Sequence, residues 1–262
     1  MVRLVAFLLA LCTVPATAQP VRIGPGEVGP PGSGAPHVLH LPRGEGPHPA
    51  VVLLHGCSGI TPTVRRWAAQ LAGWGYAALV LDSFGPRGVR NVCREAGGSA
   101  PRDGVNVSPR ERAEDAFAAA AFLRSRSDVR PDGVSAVGFS HGGSTALVVA
   151  SRTAAERNGA APFAAVVAFY PWCPRTGAPL ASPLLVLTGD ADDWTPADRC
   201  QALRAAWRPE FGLYLLQVYP GVTHAFDSRG TGRVYFGHVI RPDPAATEDA
   251  ALRLRRFLDA PG

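Results

Sequence analysis

Residues 136–147 read AVGFSHGGSTAL, with Ser140 between Gly138 and Gly142. An apolar run meets a helical run at this point. Glycine weakens strands and helices alike, so a glycine on each side of the serine signals a need for room. A G-x-S-x-G pentapeptide between strand and helix is the pattern of a nucleophile carried on a sharp turn. Such a turn lifts the serine oxygen clear of the sheet. The following helix aims its first N–H groups and its dipole at the same spot. A serine hydroxyl also needs a base, and the base needs an orienting group. Downstream, TGDADDWTP offers Asp190, Asp192 and Asp193, and YPGVTHAFD offers His224. Two backbone N–H groups complete an oxyanion site: that of His141, next to the serine, and that of Cys57, after the run VVLLHG. No metal or cofactor is expected. There is no H-E-x-x-H pattern, the aspartates lack cation-loop spacing, and His37 and His40 read as exposed residues of an outer strand.

These groups need elements to hold them. AVVLLHG, YAALVLD, GVSAVGFS, FAAVVAFYP, PLLVLTGD and LYLLQVYPG are short apolar runs of the kind buried on both faces of a sheet. HVLHLP alternates like an outer strand. Between them, 61–76 carries Pro62 at a first helical turn, with Trp67, Leu71 and Trp74 on one face. Residues 108–125 open with Ser108 as N-cap and Pro109 behind it. Residues 141–157 read as one helix. Residues 245–259 form a last amphipathic helix with Ala251, Leu254, Phe257 and Leu258 aligned. Strands alternating with helices predict an α/β fold with a mostly parallel sheet covered on both faces. Sites in such sheets lie beyond the carboxyl ends of strands, where Ser140, the aspartates and His224 stand. Residues 83–107 and 228–243 read as loops beside the site.

From Ala50 to Leu258 these segments resemble the dienelactone hydrolase family of the α/β-hydrolases. LLHGCSGI and WAAQLAGWGYAALVLDSFGPRG resemble its early strand, oxyanion loop, first helix and second buried strand, and VGFSHGG resembles its elbow. In the family's acid loop the catalytic aspartate stands three residues after a glycine and four before a proline. The resemblance therefore selects Asp192, between Gly189 and Pro196, and THAF selects His224. It also implies a substrate-gripping role for Arg87. Two positions depart from the pattern. The namesake enzymes carry a cysteine where this chain has Ser140, and a carboxylate where Gly56 stands. The resemblance thus implies a serine esterase acting on small carboxylic esters or lactones, with a Ser140–His224–Asp192 triad. A peptidase or acyltransferase on the same fold is the alternative, weakened because no propeller domain is present. A non-enzymatic binding protein is disfavoured because all three triad members are retained.

Length and composition agree with one domain. The chain has 262 residues, 47% of them apolar, which suffices for a single large core. The formal charge of +5 comes almost wholly from scattered arginines. They form no basic stripe, so nucleic acid is not an expected partner, and oligomeric state is not readable. The first residues, MVRLVAFLLALCTVPATAQP, have the charged start, short apolar core and small-x-small site of a signal peptide. Cleavage is expected after Ala18, followed by a flexible lead-in over 19–35 and one domain over 36–262. The apolar run is too short to span a bilayer, so no stable membrane anchor is expected. The chain is read as periplasmic or secreted. Export makes disulfides favourable. Cys57 and Cys93 follow strands that neighbour each other in the α/β-hydrolase order, as do Cys173 and Cys200. The expected pairs are therefore Cys57–Cys93 and Cys173–Cys200.

Overall fold

The computed structural model describes residues 17–21, 23, 37–94 and 106–260. Its main sheet contains β1 (Thr17–Val21), β2 (His37–Leu41), β3 (His48–Leu54), β4 (Ala77–Leu81), β5 (Val129–Phe139), β6 (Val166–Phe169), β7 (Leu184–Gly189) and β8 (Tyr214–Tyr219). The strand order is β1-β2-β4-β3-β5-β6-β7-β8. Pairing is antiparallel from β1 through β4 and parallel from β4 to β8. This is the α/β-hydrolase sheet that the sequence predicts. Every residue of β3 from Ala50 onward, and all of β4, is buried. Their unbroken apolar runs follow from having helices on both faces.

Alternation along the strands sorts the core into two layers. Val52, Leu54, Leu79 and Ala136 face α2 (Pro109–Arg124) and α3 (His141–Ala150). Val51, Leu53, Val80 and Val137 face α1 (Pro62–Gly73) and α6 (Pro244–Asp259). Each fully buried aliphatic side chain contributes about 1.5–3 kcal/mol. α2 starts where its sequence demands: the Ser108 hydroxyl accepts from the Glu111 N–H, and the Glu111 carboxylate accepts from the Ser108 N–H. That capping box fixes the depth at which Arg112, one turn in, enters the core.

The structure departs from the sequence reading at five places. His37 is 2% exposed, and its Nδ1 accepts from the Asp82 N–H, so it is a core histidine of the sheet. The single helix expected over 141–157 breaks at Ser151, whose side chain caps α4 (Arg152–Arg157). A further helix, α5 (Ala197–Ala205), follows the acid loop. Within 228–243, β9 (Arg233–Tyr235) and β10 (His238–Ile240) pair as a hairpin. Thr17–Val21 pairs with β2, so Gln19–Val21 of the expected lead-in is strand. Most of the expected signal peptide (1–16), most of the lead-in, and 95–105 of the long loop lie outside the described residues.

Candidate active site

Four strand ends converge. β3 ends at Leu54 and leads through His55 and Gly56 to Cys57. β5 ends at Phe139 and leads directly to Ser140. β7 ends at Gly189 before the three aspartates, and β8 ends at Tyr219 before His224.

Ser140 has φ 54° and ψ −114°, a conformation that non-glycine residues rarely adopt. The neighbouring glycines explain how it is held. A Cβ on Gly138 would lie 2.0 Å from the Gly142 carbonyl oxygen, and one on Gly142 would lie 2.0 Å from the Leu54 carbonyl oxygen. Only glycine permits this approach of backbone to backbone. With the turn closed, Ser140 Oγ stands 2.9 Å from His224 Nε2.

The acid loop separates its three carboxylates by partner. Asp192 Oδ2 is 2.7 Å from His224 Nδ1. Its Oδ1 accepts from the backbone N–H groups of Trp194 at 2.9 Å and Thr195 at 2.8 Å. These bonds aim the buried carboxylate at the imidazole. Asp190 instead accepts from the Gly221 N–H at 2.6 Å. Asp193 accepts from the Val239 N–H in the hairpin at 3.2 Å. Gly189 brings the acid and histidine loops together, since a Cβ there would meet the Val222 carbonyl oxygen at 2.0 Å.

Several supporting groups carry no sequence signal of their own. Thr195 Oγ1 is 3.1 Å from His224 Nδ1 and 3.0 Å from the Tyr170 carbonyl oxygen. The Tyr170 ring meets His224 edge-on at 4.7 Å between centroids. Its hydroxyl donates to buried Asp227 at 2.7 Å, and Trp67 Nε1 donates to the other oxygen at 2.7 Å. Burial raises the Asp227 carboxyl, opposed by those two bonds.

Cys57 and His141, whose N–H groups are the expected oxyanion donors, line one recess together with Ser140. Beneath them lies Arg112, fully buried. Its Nη2 donates to the His55 carbonyl at 2.7 Å, and its Nη1 lies 2.7 Å from His141 Nδ1. The guanidinium also sits 5.1 Å from the Phe84 ring centroid. Burial pulls Arg112 down to about 9, which leaves it charged at neutral pH. Burial, then the Arg112 and Arg94 charges, pull His141 down to about 3. His55 is also lowered well below its ordinary value, by burial first and Arg112 second.

Arg87 is not brought to the site. Its guanidinium makes a two-pronged pair with Asp115 at 2.7 and 2.9 Å and donates to the Ser83 carbonyl at 2.8 Å. It lines neither recess at Ser140. The structure therefore gives Arg87 a loop-anchoring role in place of the expected substrate grip.

The chain carries two disulfides, Cys57–Cys93 and Cys173–Cys200, with Cα separations of 4.8 and 5.1 Å. The first joins the loops after β3 and β4. The second joins the segment after β6 to α5.

Two recesses meet at Ser140. One of about 1080 Å³ extends along α3, and one of about 480 Å³ lies on the His224 side.

Comparison with known proteins adds the family. The dienelactone hydrolase family profile matches residues 36–261. A Bradyrhizobium protein named "Probable 2-oxo-3-(5-oxofuran-2-ylidene)propanoate lactonase" is 27% identical over 194 residues, 68% of this chain and 73% of that one. Among solved structures, a dienelactone hydrolase-like promiscuous phosphotriesterase from metagenomic libraries superposes with a TM-score of 0.72 at 23% identity, covering 94% of this chain and 98% of that one. A thermophilic esterase from Thermogutta terrifontis gives 0.66 at 17% identity, covering 92% and 91%. At such identities the two structures speak to the fold. The family match, which spans nearly every described element of the sheet and all four strand ends, speaks to the chemistry: this chain belongs to the dienelactone hydrolase family and is a carboxylic ester hydrolase.

Proposed function

We propose that the protein is an exported serine esterase cleaving small carboxylic esters or lactones through an acyl-enzyme. The observation that carries this reading is the unbroken chain from Ser140 Oγ to His224 Nε2 at 2.9 Å and from His224 Nδ1 to Asp192 Oδ2 at 2.7 Å. His224 takes the Ser140 proton as the oxygen attacks the ester carbonyl. Asp192 keeps the imidazole in the tautomer that leaves Nε2 free to accept, and it stabilises the imidazolium that forms. The N–H groups of Cys57 and His141 receive the oxyanion. His224 then passes the proton to the leaving alcohol. Water, deprotonated by the same nitrogen, releases the acid. For a lactone, alcohol and acid leave as one opened chain.

Export rests on the signal-like residues 1–18 together with two disulfides, which persist in oxidising compartments. Cleavage after Ala18 leaves a mature chain starting at Gln19, with one hydrolase domain over 36–262.

A fluorophosphonate probe tests the chemistry. It should label Ser140, and Ser140→Ala should lose the label and about 10⁴-fold or more of kcat on short p-nitrophenyl esters. Labelling at another serine, or full activity in Ser140→Ala, refutes the triad. Anilide substrates turned over as fast as esters would favour a peptidase. Terminal sequencing of protein recovered from the periplasm or medium tests the cleavage site.

A further inference from the structure

We propose that the larger recess is an acyl-chain groove, so that the preferred substrates are esters of medium-length apolar acids. This rests on the serine-esterase reading and names its substrate class. Direction comes first. The group that leaves must lie within reach of the histidine that protonates it. His224 lines the smaller recess, which therefore holds the alcohol, and it does not line the larger one. The acyl part is left to the larger recess.

That recess follows one face of α3. His141, Ser144, Leu147, Val148 and Ser151 line it at helical spacing. Ten residues of helix at 1.5 Å each make a wall about 15 Å long, starting at the nucleophile. The hydroxyls along this wall are already engaged. Ser144 Oγ accepts from the Trp172 N–H at 3.0 Å, and Ser151 Oγ donates to the Val148 carbonyl at 2.7 Å. A chain lying there meets methyl and methylene groups instead of unpaired polar atoms.

Trp172, Pro174 and Leu180 also line the recess. Trp172 is 48% exposed, an apolar surface that a bound chain would cover. Leu203 and Trp207 extend the apolar lining into α5 and beyond. Trp207 packs against the Gly177 backbone, where a Cβ would come within 2.8 Å of the ring. Its indole N–H donates to the Gly212 carbonyl at 3.0 Å, so it presents only carbon to the groove. Arg94, which also lines the recess, lies close enough to act on His141. A cavity of about 1080 Å³ is at the upper end of the range for small-molecule sites. A two-carbon acyl group leaves most of it unfilled.

The test is kcat/KM on p-nitrophenyl acetate, butyrate, octanoate and laurate. Each methylene taken fully from water is worth up to about fourfold. The octanoate-to-acetate ratio should therefore exceed about tenfold even with partial burial. Val148→Trp, which plugs the groove two turns from Ser140, should cut that ratio by about tenfold or more. Exposed Ala178→Trp is the second plug if Val148→Trp fails to fold, and the ratio itself cancels losses of active protein. A flat or falling profile in the wild type, or an unchanged ratio in the folded plugged variant, overturns the proposal. Calorimetric titration of the Ser140→Ala protein with laurate gives an arm independent of turnover. If no ester is cleaved and Ser140 takes no probe, the esterase reading falls and this titration decides the groove alone. Saturable binding weakened by the plug supports it, and no binding overturns it.

Discussion

Arg112 Nη1 lies 2.7 Å from His141 Nδ1, below the two proposed oxyanion donors. A guanidinium has donors and no acceptor. Nδ1 must therefore accept, and the ring proton of neutral His141 sits on Nε2. The other arm of the same guanidinium holds the His55 carbonyl at 2.7 Å. One side chain thus ties the residue after the nucleophile to the loop that carries Cys57. Both loops are held from beneath, and neither proposed oxyanion N–H is used in doing so.

Loss of Arg112 should separate the two loops. Arg112→Met leaves the His55 carbonyl and His141 Nδ1 without this donor. Each buried acceptor left unpaired costs about 1–3 kcal/mol. The expected result is a destabilisation of about 2–4 kcal/mol in urea unfolding, with kcat falling at least tenfold in the protein that remains folded and KM changing little. Arg112→Lys should recover part of kcat, since an ammonium can replace one of the two bonds. An equal rise in KM with kcat intact would show that the guanidinium does not position the oxyanion groups.

The buried histidines predict acid sensitivity. In the folded protein His141 is lowered to about 3 from 6.5, and His55 and His37 are lowered by burial. Between the folded and unfolded values the unfolded chain binds more protons, so stability rises with pH across that window. The stabilisation is fully present above about pH 6.5 and is lost progressively as pH falls toward the folded value. Tm should therefore drop steadily from pH 7 to pH 4. His141→Asn should flatten part of the slope. A Tm independent of pH over that range would contradict the neutral, buried state of these rings.

The three aspartates of the acid loop should differ sharply. Asp192→Asn disturbs the tautomer of His224 and should cost about 10³–10⁴ in kcat. Asp193 is bonded to the hairpin at the Val239 N–H and not to His224, so Asp193→Asn should cost far less. Asp190→Asn should act mainly on the Gly221 turn. Steady-state kinetics of the three variants checks the assignment. A larger loss from Asp193→Asn would reverse it.

What the sequence made readable follows from where the constraints are local. The elbow can be read because its glycines answer contacts within a few residues and one neighbouring strand. The strands can be read because burial on both faces leaves unbroken apolar runs. Arg112 could not be found this way. Its segment, SPRERAED, looks like the solvated first turn of a helix, and only the packing of α2 against β3 turns one of its arginines inward. Arg87 failed for the same reason in reverse, since its partner Asp115 lies 28 residues away on that helix. His37 looks exposed until β1 and β4 close around β2. Asp227 stands three residues after His224, and that spacing alone does not reveal Trp67 and Tyr170 as its donors.

Both disulfides brace loops of the site, so reduction should act on rate before it acts on fold. Cys57–Cys93 closes a 36-residue separation and Cys173–Cys200 one of 27. Loop-closure entropy gives about 3.5 kcal/mol for each, an amount that a two-layered core of this size can lose and stay folded at room temperature. The local effect is greater for the first bridge. Cys57 is itself a proposed oxyanion donor, so reduction acts directly on the oxyanion loop, which is then held at this point by the Val92 N–H donating to the Cys57 carbonyl at 2.9 Å. Cys173 is held separately, by Arg199 Nε donating to its carbonyl at 2.9 Å, which keeps its loop near α5 after reduction. Cys57→Ala/Cys93→Ala should therefore lower kcat more than Cys173→Ala/Cys200→Ala, while the two pairs lose similar stability. Kinetics beside urea unfolding of both double variants separates the two effects. Equal kcat losses would mean that the first bridge acts on the fold as a whole and not on the oxyanion loop.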